Sequence, residues 1–346
     1  MKKRGERIAP LLLCQADVMD YRSTDRLDAT LSAIGLGTWQ LGADWGDVSE
    51  ADATAVLDAS VAAGVTFFDT ADVYGDGRSE RVIGAYLDGR AADAPVVFVA
   101  TKMGRSGPQH PDGFTLDNFR AWTERSRENL RTDSLDLVQL HCPPSVTLEM
   151  DQVFDDLDLL VDEGVMNAYG VSVETAEEAL AAIERPNVAS IQIIINAFRL
   201  KPLERVLPAA IENGVAIFAR VPLASGLLTG KYKKDTVFAE NDHRNYNRSG
   251  EAFDVGETFS GVDFETGLAA ADEFSALAAS VGLAPSTAAL AWVSQLPGVT
   301  SVIPGARNVR QAEGNAAAGS VEKLDITDEV TAIYDTYFRA AIHHRW

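Results

Sequence analysis

VAAGVTFFDTADVYGDGRSERVIGAYLDGRAADAPVVFVATKMG, residues 61–104, decides the fold. An apolar run (VTFF) ends in polar residues, a helical pattern follows from 79 to 87, and a second apolar run (VVFVA) ends in TKMG. Continuous β-branched runs are strands buried on both faces, and the link between these two is long enough for a helical crossover, so the unit is a parallel strand–helix–strand. The pattern recurs. LDLVQL, NAYGVS, SIQIII, VAIFA and TSVIP supply five more strands, with further helices predicted near 51–63, 115–130, 149–162, 175–184, 202–212, 285–294 and 308–318. Seven strands thus follow residue 64, and LSAIGLGTW at 31–39 fits an eighth. The predicted fold is α/β, a (β/α)8 TIM barrel with its active site at the C-terminal strand ends. An open doubly wound sheet would want a GxGxxG fingerprint after an early strand, and the chain has none.

Polar residues fall just past three of these runs: Asp69 with Tyr74 five positions on, Lys102, and His141. Singly, each has an ordinary explanation as a turn cap, a packed ring, a solvated charge or a satisfied imidazole. Parallel strands sharing one mouth bring them together. A phenol of pKa about 10 is a poor acid at neutral pH unless a cation stabilises its anion, and Lys102 can supply that cation. A desolvated ammonium needs a counter-charge, which Asp69 provides, while neutral His141 can hold a substrate oxygen in line. The set can move a proton on and off a carbonyl oxygen.

These residues carry a resemblance. FFDTADVYGDGRSERVIGAYL, TKMG and LHCP, with GLGTW at 35–39, GVS at 170–172, Gln192 in SIQIIINAF, VPLASGLLTGKY at 221–232 and IPGARN at 303–308, resemble the aldo-keto reductases from about Tyr21 to about Phe338. The resemblance implies reduction of an aldehyde or ketone by direct hydride transfer from a nicotinamide, with Tyr74 as proton donor, Lys102 and Asp69 lowering its pKa, and His141 orienting the carbonyl. It implies NADP as cofactor, with NAD the alternative. Carried over position by position, the cofactor residues are Gly37, Thr38, Trp39, Asp69, Ser172, Gln192, Arg220, Val221, Leu223, Ser225, Gly226, Leu228, Ile303, Gly305, Arg307, Gln311 and Asn315.

Departures from the family pattern bear on that cofactor. Val173 stands where many relatives have Asn, and Arg220 where many stack an aromatic on the nicotinamide; its guanidinium either stacks or pairs with a carboxylate. Arg307 is the cation expected at a 2'-phosphate, but Gln311 and Gly314 replace an arginine and a glutamate common in strict NADP binders. Substrate contacts fall to Trp39, Trp45, Tyr74 and His141, for a small carbonyl compound or sugar. Oxidation of a sugar or polyol with NAD, or a cofactor-binding regulatory subunit, are the alternative functions.

The formal net charge of −21 excludes nucleic acid as a partner, since neutralising phosphates needs clustered Lys and Arg. Such a surface repels itself in dilute buffer and suits a salt-loaded, halophilic cytoplasm. Cys14 and Cys142 have neither disulfide nor metal-ligand spacing, so no metal is expected and a reducing cytoplasm is. No apolar run approaches a membrane span, and neither a membrane partner nor an oligomeric state is indicated. Residues 1–20 are expected to be an N-terminal extension, mobile or untranslated, and 21–346 one barrel domain. A long loop at about 232–265 is expected to carry His243, Arg244 and Tyr246 as candidate ligand contacts.

Overall fold

The computed structural model describes residues 19–42, 48–107, 109–240, 242–252 and 254–346. The extension before residue 19, Trp45 and the His243 side chain lie outside them. Among the described residues ten strands run in chain order: β1 (Tyr21–Thr24), β2 (Leu27–Ser32), β3 (Leu36–Gly37), β4 (Phe67–Asp69), β5 (Phe98–Met103), β6 (Leu137–His141), β7 (Tyr169–Ser172), β8 (Val188–Ile194), β9 (Ala216–Arg220) and β10 (Ser301–Val302). From β3 to β10 each pairs in parallel with the next. Parallel bridges Ile34↔Val302 and Gly37↔Gly305 join the two ends, so the predicted eight-stranded barrel closes.

One strand prediction changes. LSAIGLGTW is not continuous: Leu31 and Ser32 end an antiparallel hairpin with β1, and only Leu36 and Gly37 reach the barrel. Leu27 and Leu31 of that hairpin plug the barrel floor against Phe67, Ala100, Leu137, Ala216 and Phe218. The signal was there, because Leu27, Ala29 and Leu31 alternate with polar residues at the period of a half-buried strand.

The eight predicted helices form within about two residues of their expected bounds, such as Pro202–Asn213 and Pro285–Ser294. Two more long helices, Phe264–Ser280 and Thr327–Tyr337, and two single turns, His243–Tyr246 and Arg339–Ile342, were not foreseen. Phe264–Ser280 is so rich in alanine that its apolar stripe is blurred; its cap is plainer, Asp263 accepting from Thr266 N at 2.9 Å.

Side-chain alternation sorts the barrel interior into layers. Along β4, β5 and β6 the floor residues Phe67, Ala100 and Leu137 share a face with Asp69, Lys102, Gln139 and His141, two or four positions nearer the C-terminal end. The apolar half holds the fold; the polar half faces the mouth.

Candidate active site

Lys102 Nζ lies 2.7 Å from Asp69 Oδ1 and donates to Thr70 O at 2.7 Å and to Tyr74 Oη at 3.4 Å. The ammonium is fully buried, so its three donors are spent on three acceptors. Burial pulls its pKa down, Asp69 and Tyr74 push it up, and the net shift is upward, so it stays charged. Asp69 Oδ2 accepts from Gln192 at 2.7 Å and from Gln139 at 3.4 Å. Gln139 was missed by sequence reasoning, although a glutamine two positions before His141 in an otherwise apolar strand shares its face.

Tyr74 stacks on Trp39, ring centroids 6.0 Å apart, and meets His141 edge-on at 6.1 Å. Burial raises the phenol above its ordinary value, Lys102 pulls it down and Asp69 raises it further, so the net direction is upward. Lowering is therefore the work of Lys102 alone; Asp69 contributes by keeping that cation buried and charged. Burial, then Arg105, Lys102 and Arg220, hold His141 well below the usual imidazole range, so it is neutral at physiological pH.

A groove of about 840 Å³ starts at Asp69, Tyr74, His141 and Gln192, passes Val221, Leu223, Ser225 and Gly226, and ends at Arg307, Arg310, Gln311 and Asn315. Gly37, Thr38, Trp39, Ile303 and Gly305 form one wall, and Arg220 also faces the space. Lys102, Ser172 and Leu228 stand behind the surface, the last two almost wholly buried. Val221, Ala224 and Ser225 adopt left-handed backbone (φ 51°, 48° and 54°) ahead of Gly226 at 94°. Such residues cost on the order of 1 kcal/mol each and persist where a loop is held to a special shape. A side chain at Gly226 would collide with the Tyr232 hydroxyl. At the far end Gln311 Oε1 accepts from Arg307 N at 2.8 Å and Asn315 donates to Gly305 O at 3.1 Å, bracing the Arg307 loop.

Arg220 is tied by carboxylates: Glu174 lies at 2.8 Å and Glu257 at 3.3 Å, and it donates to Val173 O at 3.1 Å. Burial pushes Glu174 up, but Arg220 and Arg105 outweigh it and hold the carboxyl below its usual range. Neither glutamate was singled out from sequence. Glu257 belongs to the segment 232–265, which turns back over the groove; its Tyr232, Phe238, Asp242 and Arg244 line the space. Tyr246 does not line it. Among the described residues no cluster of His, Cys, Asp and Glu could hold a metal ion.

Asp72, between Asp69 and Tyr74, is almost wholly buried, accepts from Ser106 at 3.2 Å through one oxygen and has no partner for the other among the described residues. Burial, with Glu80 adding to it, pushes its pKa up to about 6. A folded value above the unfolded one means that the folded chain binds more protons between about pH 4 and 6, so stability falls as pH rises through that window. Asp72→Asn is expected to stabilise the fold by on the order of 2 kcal/mol at pH 8 and to lose that advantage near pH 4, as read from paired melting curves. An equal advantage at both pH values would show that desolvation of the charge is not the cause.

The model of the Aldo/keto reductase family matches residues 33–335. An uncharacterised oxidoreductase of Mycobacterium tuberculosis is 34% identical over 312 residues, covering 88% of this chain and 89% of that one. The glycerol dehydrogenase of Gluconobacter oxydans superposes with a TM-score of 0.73 at 29% identity, covering 94% of this chain and 96% of the other. An aldo-keto reductase of Klebsiella pneumoniae, solved in complex with NADPH, shares the fold with a TM-score of 0.65 at 24% identity over 91% of this chain and 95% of its own.

Proposed function

The chain belongs to the aldo/keto reductase family, and from that premise we propose how its residues divide the work of reducing an aldehyde or ketone to an alcohol with NAD(P)H. The observation that carries the reading is the chain of contacts Gln192–Asp69–Lys102–Tyr74, which ends at the groove surface opposite His141. Tyr74 Oη gives its proton to the carbonyl oxygen as negative charge develops there. Lys102 stabilises the phenolate left behind, so the proton leaves more easily than from an isolated buried tyrosine. Asp69, held by two glutamine amides, keeps the ammonium in place. His141, neutral, donates to the same oxygen and fixes its direction.

Reduced nicotinamide, when bound, supplies the hydride. The groove suits a dinucleotide: its polar end at Gln192 and Arg220, its strained backbone loop at 221–226 and its cationic end at Arg307 and Arg310 follow one another as amide, pyrophosphate and adenosine phosphate would need. Gly37 permits this wall to close, since a Cβ there would sit 2.8 Å from Ile303 O. NADP is the cofactor we assign, on Arg307 and on the NADPH complex of the Klebsiella relative. Oxidation of a sugar or polyol, and a regulatory role, are not favoured. The charge of −21 leads us to read the protein as cytoplasmic and salt-adapted; among the described residues no single helix is long and apolar enough to cross a membrane.

A carbonyl panel followed by nicotinamide absorbance, with each cofactor in dilute buffer and in molar KCl, tests the reading. Activity lost on moving from dilute buffer to KCl would count against salt adaptation. Arg307→Ala is expected to weaken NADPH by roughly 10- to 100-fold through loss of a charge-assisted bond, and NADH little. Equal weakening of both would remove Arg307 as the phosphate ligand.

A further inference from the structure

We propose that Trp346 is a positioning residue for the cofactor groove, seating the turn 254–261 against the loop 221–226 and so setting how tightly a nicotinamide dinucleotide is held; this rests on the dinucleotide reading above.

Loop and turn both contain strained backbone. Val221, Ala224 and Ser225 are left-handed on one side, Phe259 (φ 52°) and Ser260 (φ 56°) on the other. Residues other than glycine persist in that region only where their surroundings hold them there. One side chain joins the two segments: Ser225 Oγ donates to Glu257 O at 2.6 Å and accepts from Phe259 N at 3.2 Å. Holding the turn therefore holds the loop. The turn also carries the Glu257 carboxylate, 3.3 Å from Arg220 at the polar end of the groove.

Trp346 does not line the groove, so its effect on a ligand passes through the turn. Its side chain is almost wholly buried, and Nε1 donates to Asp254 Oδ1 at 3.0 Å, the same oxygen that accepts from Gly256 N at 2.6 Å. Gly256 and Gly261 lie so close to the indole that a Cβ at either would strike it, and Gly261 is left-handed as well, at φ 77°. Over the ring, the Arg199 guanidinium stands 3.8 Å from the centroid and that of Arg345 4.4 Å. Arg199 is itself buried, donates to Glu174 O at 3.2 Å and has no partner for Nη1 among the described residues. Burial, then Arg220, push its pKa down to about 9, against the pull of Glu174 and Asp254. The cation leans on the indole face, and ring and guanidinium fix each other.

The path runs from indole to turn, from turn through Ser225 to loop, and from loop to cofactor. Removing the indole takes the ring from Arg199 and the cover from two glycines. It touches none of Tyr74, Lys102 and His141. Cofactor affinity, not the chemical step, is then the quantity that changes.

Calorimetric titration with NADPH and NADH, beside steady-state reduction of one carbonyl substrate, tests this in the wild type, Trp346→Ala, Trp346→Phe, Ser225→Ala and the double variant of the two alanine changes. Trp346→Ala is expected to weaken both cofactors about 10-fold while kcat at saturating NADPH does not fall, and Trp346→Phe, which keeps a ring for Arg199, to recover most of that loss. Because Trp346 acts through the Ser225 bridge, the double variant is expected to lose less than the two single losses multiplied together. Wild-type affinity in Trp346→Ala overturns the proposal. Losses that multiply in full overturn it too, as does a fall in kcat that tracks a lowered melting temperature. Where Trp346→Ala does not fold, Gly261→Ala, whose methyl strikes the indole from the turn, is expected to weaken both cofactors alike, and wild-type affinity there overturns the proposal. Failure of the dinucleotide reading shows separately, as a wild type that titrates with neither cofactor.

Discussion

Tyr74→Phe is expected to lower kcat by roughly 1000-fold while leaving cofactor affinity nearly unchanged, since a positioned general acid contributes about 10²- to 10⁴-fold. The substitution removes one hydroxyl and keeps the ring, which stacks on Trp39 at 6.0 Å, so the mouth keeps its shape. Lys102 retains Asp69 and Thr70 O as partners and loses only its longest contact, at 3.4 Å. What disappears is the proton. Single-turnover absorbance measures the rate, and quenching of protein fluorescence by the cofactor measures binding. Turnover at the wild-type rate would sink the assignment of Tyr74. The imidazole offers no substitute acid, because burial and three nearby cations keep His141 deprotonated through the physiological range.

Lys102→Met carries the largest expected cost in stability, about 3–5 kcal/mol, because it strands a buried carboxylate. Asp69 would keep only its bonds from Gln192 and Gln139, neither of them a full charge. The double variant Lys102→Met with Asp69→Asn removes both charges from the interior, and is expected to recover most of the lost stability while remaining as inactive as the single variant. Denaturant titration reads the first quantity and carbonyl reduction the second. A single variant as stable as the wild type would mean that the pair is not the buried unit described here. Recovery of activity in the double variant would separate Lys102 from the acidity of Tyr74.

Much of this was legible in the chain, for a physical reason. Barrel strands buried on both faces write themselves as apolar runs, and residues at their ends share a mouth by geometry, so Asp69, Tyr74, Lys102 and His141 followed from position. Gln139 was readable too, as a polar residue on the inner face of β6. Glu257 was not. It lies in a segment without periodicity, and its partners Arg220 and Arg105 are distant in sequence, so only three-dimensional packing brings them together. Arg220 shows the same limit, since sequence favours stacking over ion pairing while the fold supplies two carboxylates. TSVIP marks β10 although the strand is two residues long, whereas β3, equally short, carries too little pattern to bound, and the N-terminal run was accordingly assigned too long.

Those two strands form a seam between the beginning and the end of the chain. Ser301 Oγ donates to the carbonyl of Ser32, 269 residues away, at 2.8 Å, and only a few such bonds hold the join. Joining segments so far apart in sequence costs loop-closure entropy that the local strand–helix–strand contacts do not. Gly37 and Gly305, on opposite sides of it, both face the groove. A dinucleotide lying along that wall would touch both sides of the join, so its binding would add to the stability of the closed barrel by mass action.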